Sequence, residues 1–155
     1  MPSNSWLTMN LIRNNLFQLS AVLGFLGFLD STYLTIMHYR NVLPPCTLKT
    51  GCETVLTSTY STVGPFPLAL LGSIFYLAVI VLSILCLFHY KRLYLRSLVF
   101  TVFVGFIVSL QLLLLQIFVI HAFCQYCLLS ELISALLLFP AILSKDLIID
   151  KVKEK

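Results

Sequence analysis

Four long apolar stretches, separated by shorter polar segments, dominate the pattern of hydrophobic and polar positions along the chain. A helix needs roughly 20 residues to cross the hydrocarbon core of a bilayer, and each stretch is of about that length. The pattern predicts spans at residues 16–37, 67–88, 98–120 and 124–143. The predicted fold class is therefore all-α integral membrane, a four-transmembrane-helix bundle.

One long polar segment, residues 38–66, lies between the first two predicted spans. Prolines near both of its ends, at Pro44 and Pro65, indicate a loop with its own local structure. The loop contains two of the five cysteines, Cys46 and Cys52.

A capping box within this loop predicts a short helix. Thr50 and Glu53 have the spacing at which each side chain satisfies a backbone N–H of the other residue. We therefore expect a helix from Gly51 to about Thr59. Cys52 would lie in its first turn, where the helix dipole favours a thiolate. An ordinary cap with a passive cysteine is the alternative.

Composition agrees with burial in lipid. The chain is 59% hydrophobic and only 10% charged, whereas soluble domains carry about 25% charged residues. We expect one membrane domain, residues 1–155, that ends in a charged and exposed tail at residues 144–155. The net charge of +4 is too small, and too tied to loops and ends, to indicate nucleic-acid binding.

The basic residues are unevenly divided between the two ends of the predicted bundle. The loop side holds Arg40 and Lys49. The side with both termini and the short connection holds Arg13, Lys91, Arg92, Arg96, Lys145, Lys151, Lys153 and Lys155. The positive-inside rule then places both termini in the cytoplasm. The long loop is predicted to be extracytoplasmic, in an oxidising compartment where disulfides persist.

A Cys-x-x-Cys motif, Cys124 and Cys127, lies at the start of the fourth predicted span. On one helical turn the two sulfurs can reach each other, so the pair can be a dithiol or a disulfide. The spacing also serves zinc sites and structural bridges. The position of this motif at the edge of the bilayer favours thiol chemistry coupled to a lipid-soluble electron carrier.

Two cysteine pairs on one side of the membrane suggest a relay, because a disulfide moves by thiolate attack without a metal. Cys46 and Cys52 can meet a soluble partner, and Cys124 and Cys127 a hydrophobic substrate. Static structural bridges are the alternative, although bridges over such short separations restrain little chain entropy. Zinc binding by four thiolates is possible by count, but it would block exchange, and no metal site is predicted.

The motifs also carry a resemblance. After the first span come Cys-x5-Cys and Glu53-Thr-Val-Leu-Thr-Ser58, then Gly-Pro-Phe-Pro-Leu before the second span. Cys-Gln-Tyr-Cys at the start of the fourth span completes the order. This order resembles the vitamin K epoxide reductase family, particularly its bacterial members. Unrelated bacterial four-helix disulfide oxidases have the two pairs in the reverse order.

The resemblance implies a role for each cysteine. Cys127 corresponds to the cysteine beside the quinone ring, and Cys124 to its resolving partner. Cys52 corresponds to the loop cysteine that exchanges with Cys124. Cys46 corresponds to the cysteine that meets the reduced partner protein. Ser58 matches a loop serine of the family, expected to make a polar contact near the active site.

Two acids and two glutamines lie within the apolar stretches. Intramembrane acids are functional candidates by default, and Asp30 and Glu131 are such acids unless both lie close enough to the interface to be hydrated. Glu131 follows Cys127 by one helical turn and is a candidate for managing quinone protons. Gln111 and Gln116 are expected to bond between helices.

The resemblance also implies a substrate and a partner. It predicts a thiol oxidoreductase of the bacterial cytoplasmic membrane that supports disulfide formation and reduces a quinone of the ubiquinone or menaquinone type. Because the chain stops at Lys155, a thioredoxin-like partner would be a separate protein. Vertebrate enzymes have tyrosine where this chain has Glu131, which favours quinone over vitamin K epoxide. A non-catalytic four-span protein with structural disulfides is the rival from another class.

Overall fold

A computed structural model describes residues 3–46, 51–89 and 91–153, with side chains between residues 11 and 144 of these ranges. The α-helices of these residues are α1 (Ser3–Tyr39), α2 (Gly51–Leu56), α3 (Leu68–Phe88), α4 (Arg92–Leu115) and α5 (Gln125–Lys153). A π-helical segment, Gln116–Ile120, continues α4. Between α2 and α3 lie a 3-10 turn, Thr59–Ser61, and a small antiparallel hairpin that pairs β1 (Thr62–Val63) with β2 (Phe66–Pro67).

Four helices in the described part of the chain are long and apolar enough to cross a membrane. Their candidate spans are Leu11–Tyr39, Leu68–Phe88, Arg92–Ile120 and Gln125–Ser144. Large apolar side chains such as Phe100, Phe118 and Phe139 are exposed on their outer faces. Lipid is the natural cover for such a surface. The predicted four-helix membrane architecture is confirmed at this level.

Two helices begin earlier than the apolar stretches predict. α1 begins at Ser3 rather than near Leu16, and α4 begins at Arg92 rather than Leu98. Hydropathy locates the residues that lipid tolerates, whereas a helix needs only continuous backbone hydrogen bonds. The early turns of α4 are also anchored by packing, because Leu95 and Leu98 are both buried.

The structure describes the backbone of the predicted tail to Lys153, and among the tail's side chains only that of Ser144, so exposure of the charged residues stays a prediction. α5 continues without a break through Lys153. Ser144 is buried, and its hydroxyl donates a hydrogen bond of 2.9 Å to the carbonyl of Ala141. Lysine and aspartate are compatible with a helical backbone, so the change from apolar to charged residues does not end α5.

The bundle is held together by close helix contacts. α3 and α5 each pack against both α1 and α4. Gly27 of α1 lies against the ring of Tyr76, so closely that a Cβ atom there would overlap it. Small residues permit such approaches in membrane bundles. Ser73, another small residue, donates a 3.2 Å hydrogen bond to the hydroxyl of Ser31 on α1.

The polar loop folds over one end of this bundle. α2 begins at Gly51 as predicted, and ends at Leu56 rather than near Thr59. The helix stops because both the backbone N–H and the hydroxyl of Ser58 bond to the carbonyl of Val55, at 3.3 and 2.7 Å. Thr50 and its capping box lie outside the described residues. α2 contacts the π-helical segment, which places the loop close to the junction between α4 and α5.

Candidate redox site

The junction between α4 and α5 has an unusual backbone that sets the position of the Cys-x-x-Cys motif. The N–H groups of His121 and Ala122 both donate to the carbonyl of Gln116. His121 has a φ of 53°, in the left-handed region, which ends the helix and turns the chain. Short π-helical segments are frequent at functional sites. Here the segment places Gln116 directly below the cysteine motif.

Cys124 lies at the start of α5, with both thiols of the motif free in this structure. The backbone N–H of Cys127 donates to Cys124 Sγ at 3.4 Å. Hydrogen bonding from the Cys127 thiol, helped by the backbone N–H groups of Cys127 and Tyr126, lowers the pKa of Cys124 to about 7. Burial and the charge of Asp30 act in the opposite direction. Cys124 is therefore the more readily ionised sulfur for disulfide exchange.

The loop cysteines, Cys46 and Cys52, are joined by a disulfide. Cys46 is partly buried, whereas Cys52 on α2 is almost fully buried. Two contacts fix the loop over the motif. Gly51 lies against the carbonyl of Phe123, where a Cβ atom would overlap it. The hydroxyl of Tyr126 donates to the carbonyl of Pro45 at 3.0 Å.

All four sequence-predicted cysteines belong to one cluster at this end of the bundle. Cys52, Val55 and Cys124 form its buried centre, and Cys46 and Cys127 pack against it. Cys124 has none of its surface exposed. The fold thus brings together two pairs that are separated by more than 70 residues of sequence. Cys86 is elsewhere, buried in the core of the bundle as a small apolar residue.

A cavity of about 500 Å³ opens beneath the cluster. This volume lies within the range of roughly 300–1,000 Å³ that is typical of small-molecule sites. Most of its wall is apolar, contributed by α1, α3, α4 and α5. Cys127, Ser58 and Glu131 are among the polar side chains that line it. The structure therefore places three of the sequence-predicted site residues around one apolar chamber.

Glu131 is held by a glutamine from the neighbouring helix. Gln116 Nε2 donates to Glu131 Oε1 at 2.7 Å, and Gln116 Oε1 accepts from the backbone N–H of Cys124 at 3.1 Å. The predicted interhelical role of Gln116 is confirmed. Gln111, by contrast, is exposed on the outer face of α4. Asp30 is half-buried on α1, with one carboxylate oxygen lacking a described hydrogen-bond partner.

Tyr76 is a site residue that the sequence analysis did not single out. Its ring is buried and lines the cavity, and its hydroxyl donates to the carbonyl of Ser130 at 2.7 Å. This bond ties α3 to the turn of α5 that precedes Glu131. A tyrosine within an apolar span was the available signal, because a buried phenol needs a hydrogen-bond partner.

The family that the order of the cysteine motifs resembles is also the family that comparison with known proteins finds. A family model described as the vitamin K epoxide reductase family matches residues 18–142, which is most of the chain. The matched range contains Cys46, Cys52, Ser58, Cys124, Cys127 and Glu131. No curated protein matches the chain significantly.

Proposed function

The chain belongs to the vitamin K epoxide reductase family, and from that premise we propose that it oxidises a separate thioredoxin-like protein and reduces a quinone. Membership implies a membrane thiol oxidoreductase. The proposal adds the electron path, which runs from partner thiols to Cys46–Cys52, then to Cys124–Cys127, then to the quinone. The activity would support disulfide formation in the compartment that the loop faces.

One observation carries this proposal: the four cysteines form a single cluster whose last member, Cys127, lines an apolar cavity. The order of exposure supports the order of exchange. Cys46 is the more accessible loop cysteine, Cys52 is buried against Cys124, and Cys127 faces the chamber. This arrangement in one cluster supports exchange between the two pairs.

The exchange steps balance without a metal. A partner thiolate attacks Cys46, and the partner's second thiol completes its disulfide, which leaves Cys46 and Cys52 as thiols. Cys52 then attacks Cys124 of an oxidised Cys124–Cys127 pair, and Cys46 closes the loop disulfide again. Two electrons have then moved to the Cys124–Cys127 dithiol. A quinone bound in the cavity accepts these two electrons and two protons.

The size and the mostly apolar wall of the cavity support a quinone head group of the ubiquinone or menaquinone type as its ligand. Apolar walls suit the ring and its isoprenoid chain, and polar side chains that include Cys127, Ser58 and Glu131 also line the cavity. Ser58 and Glu131 are the side chains expected to meet the quinone oxygens. An acid at position 131, rather than the tyrosine of vertebrate enzymes, favours quinone over epoxide as the substrate.

A Cys127→Ala variant tests the proposal. With a reduced thioredoxin-like protein as donor, quinone reduction followed by its absorbance should fall to the uncatalysed rate. Cys86→Ala is the matched control, since Cys86 lies away from the cluster, and it should turn over normally. Undiminished quinone reduction by Cys127→Ala would overturn the assignment.

A second arm tests the relay. Cys46→Ala or Cys52→Ala should block the protein donor, while a small membrane-permeant dithiol still drives quinone reduction through Cys124–Cys127. Unchanged turnover with the protein donor would refute the relay. If wild-type protein gives no turnover with either donor, and Cys46–Cys52 resists graded dithiothreitol in a thiol-trapping gel shift, the disulfides are structural.

A further inference from the structure

The carboxyl group of Glu131 is asymmetric in its contacts. Oε1 accepts the 2.7 Å hydrogen bond from Gln116 Nε2. Oε2 is buried and lacks a hydrogen-bond partner among the described residues. Because Glu131 lines the same cavity as Cys127, we infer that a ligand bound there supplies the partner that this buried oxygen lacks.

The orientation of the Gln116 amide decides which oxygen can carry a proton. The backbone N–H of Cys124 can only donate, so the group facing it must be the amide oxygen of Gln116. The amide nitrogen must then face Glu131, and it also can only donate. Glu131 Oε1 is therefore restricted to accepting, and a proton on this carboxyl group has to be on Oε2.

The surroundings favour the protonated carboxyl group. The described lining of the cavity contains neither lysine nor arginine. An ionised carboxylate without a cationic partner is costly within a membrane. Gln116 itself is almost fully buried, so water does not compete for its two hydrogen bonds.

We propose that Glu131 delivers a proton from Oε2 to the quinone oxygen, and that Gln116 is the positioning residue that keeps this proton on the cavity side. The inference rests on the proposed function. Formation of the Cys124–Cys127 disulfide releases two electrons and two protons. Glu131 passes one proton to the reduced quinone and regains one from the thiols, while the other thiol proton goes to the second quinone oxygen. Glu131 therefore ends each cycle as the acid.

Glu131→Gln separates proton delivery from binding. The glutamine can still accept from Gln116 and still present an N–H to the cavity, but it cannot transfer a proton. General acid catalysis is worth about 10²- to 10⁴-fold, so we expect quinone reduction to slow by about 100-fold. Binding of menadione to the fully oxidised protein, measured by calorimetry in detergent, should change by less than about threefold.

The matched control is Glu53→Gln, the same chemical change at an exposed position on α2. It should leave both menadione reduction and menadione binding unchanged. Glu131→Leu removes the donor as well as the proton, so it should weaken menadione binding in addition to slowing reduction.

Infrared difference spectra between the dithiol and disulfide states provide a readout that does not depend on turnover. The wild-type protein should show a protonated carboxyl band that shifts in D₂O and is absent in Glu131→Gln. Gln116→Met should shift this band and slow reduction. Gln111→Leu, which alters an exposed glutamine on the same helix, should do neither.

The outcomes distinguish this inference from the function on which it rests. If wild-type protein does not reduce menadione at all, the proposed function fails. If wild-type protein reduces menadione and Glu131→Gln does so equally fast, the function stands and proton delivery by Glu131 is refuted. A carboxyl band that is insensitive to Gln116→Met would refute the positioning role.

Discussion

Cys124 combines two properties that usually exclude each other in a thiol. It has no exposed surface, yet its pKa is lowered to about 7 by hydrogen bonds from Cys127 and the adjacent backbone. Burial alone disfavours the thiolate. At Cys124, the hydrogen bonds outweigh this effect, so the residue is buried and reactive at neutral pH.

This balance predicts the pH dependence of Cys124 alkylation. Below a pH of about 7 the thiol is protonated and unreactive, and above it the thiolate predominates, so the rate of reaction with iodoacetamide should rise with a midpoint near pH 7. Cys127→Ala removes the main hydrogen-bond donor, which should move the midpoint upward, toward the ordinary thiol value of 9.0. Mass spectrometry of the peptide with Cys124 measures both midpoints.

Cys86→Ala serves as the control for this measurement, because Cys86 makes no contribution to the environment of Cys124. Its midpoint should equal that of the wild-type protein. Equal midpoints in wild-type and Cys127→Ala protein would contradict the role given to the Cys127 thiol.

At the residue scale, the sequence named candidate site residues that the structure brings together, but not the contacts that hold them. Cysteine spacing and the motif order identified the four cysteines, Ser58 and Glu131. The bond from the Cys124 N–H to Gln116 was not foreseeable, because it depends on the π-helical segment and the left-handed backbone at His121. Hydropathy has no information on either feature.

At the scale of elements, the close packing of α2 against the cysteine motif depends on a single glycine. Gly51 lies against the carbonyl of Phe123, next to Cys124, and this is backbone that cannot rotate away. Any side chain at position 51 must therefore lift α2 from the junction. α2 also contributes Cys52 and Val55 to the cover over Cys124.

Gly51→Ala should consequently expose Cys124. We expect alkylation of Cys124 by iodoacetamide to accelerate by at least about fivefold. Each ~1 kcal/mol of stability lost by the state in which α2 covers Cys124 raises the population of the uncovered state by about fivefold. Gly72→Ala is the matched control, since a Cβ there meets Ser31 at an ordinary 3.4 Å. Equal rates of Cys124 alkylation in both variants would show that the packing of α2 over Cys124 does not depend on Gly51.

The elements themselves were predictable to the extent that lipid dictates them. Four apolar stretches of about 20 residues predicted four long helices, and the loop segment that follows Gly51 was predicted to be helical, as α2 is. Helix ends were less predictable, because polar residues such as Arg92 continue a helix that hydropathy would end. The hairpin between α2 and α3 was not predicted, although Gly64-Pro65 is a turn dipeptide.

At the scale of the whole molecule, both cysteine pairs lie at one end of the bundle, in a single cluster. The connection between α3 and α4, with Lys91 and Arg92, is separated from that end by the length of a helix. The positive-inside rule assigns such a basic connection to the cytoplasm. The molecule is therefore predicted to present its cysteine cluster to the extracytoplasmic side.

Labelling with a membrane-impermeant maleimide tests this orientation. In intact spheroplasts treated with a mild reductant, Cys46 should be labelled from outside. Arg92→Cys, made in a chain whose native cysteines are replaced by alanine, should be labelled only after the membrane is opened. Labelling of both positions from the same side would contradict the predicted orientation.

The complete enclosure of Cys124 has a consequence for the fidelity of electron transfer. A sulfur that the surrounding fluid does not touch is insulated from glutathione disulfide, peroxide and other small oxidants. In the proposed relay, Cys124 exchanges electrons only with Cys52 and, through Cys127, with the quinone in the apolar cavity. We therefore expect the cover formed by α2 to protect the Cys124 thiol from oxidation by these small molecules. Loosening this cover should increase such oxidation before it affects ligand binding in the cavity.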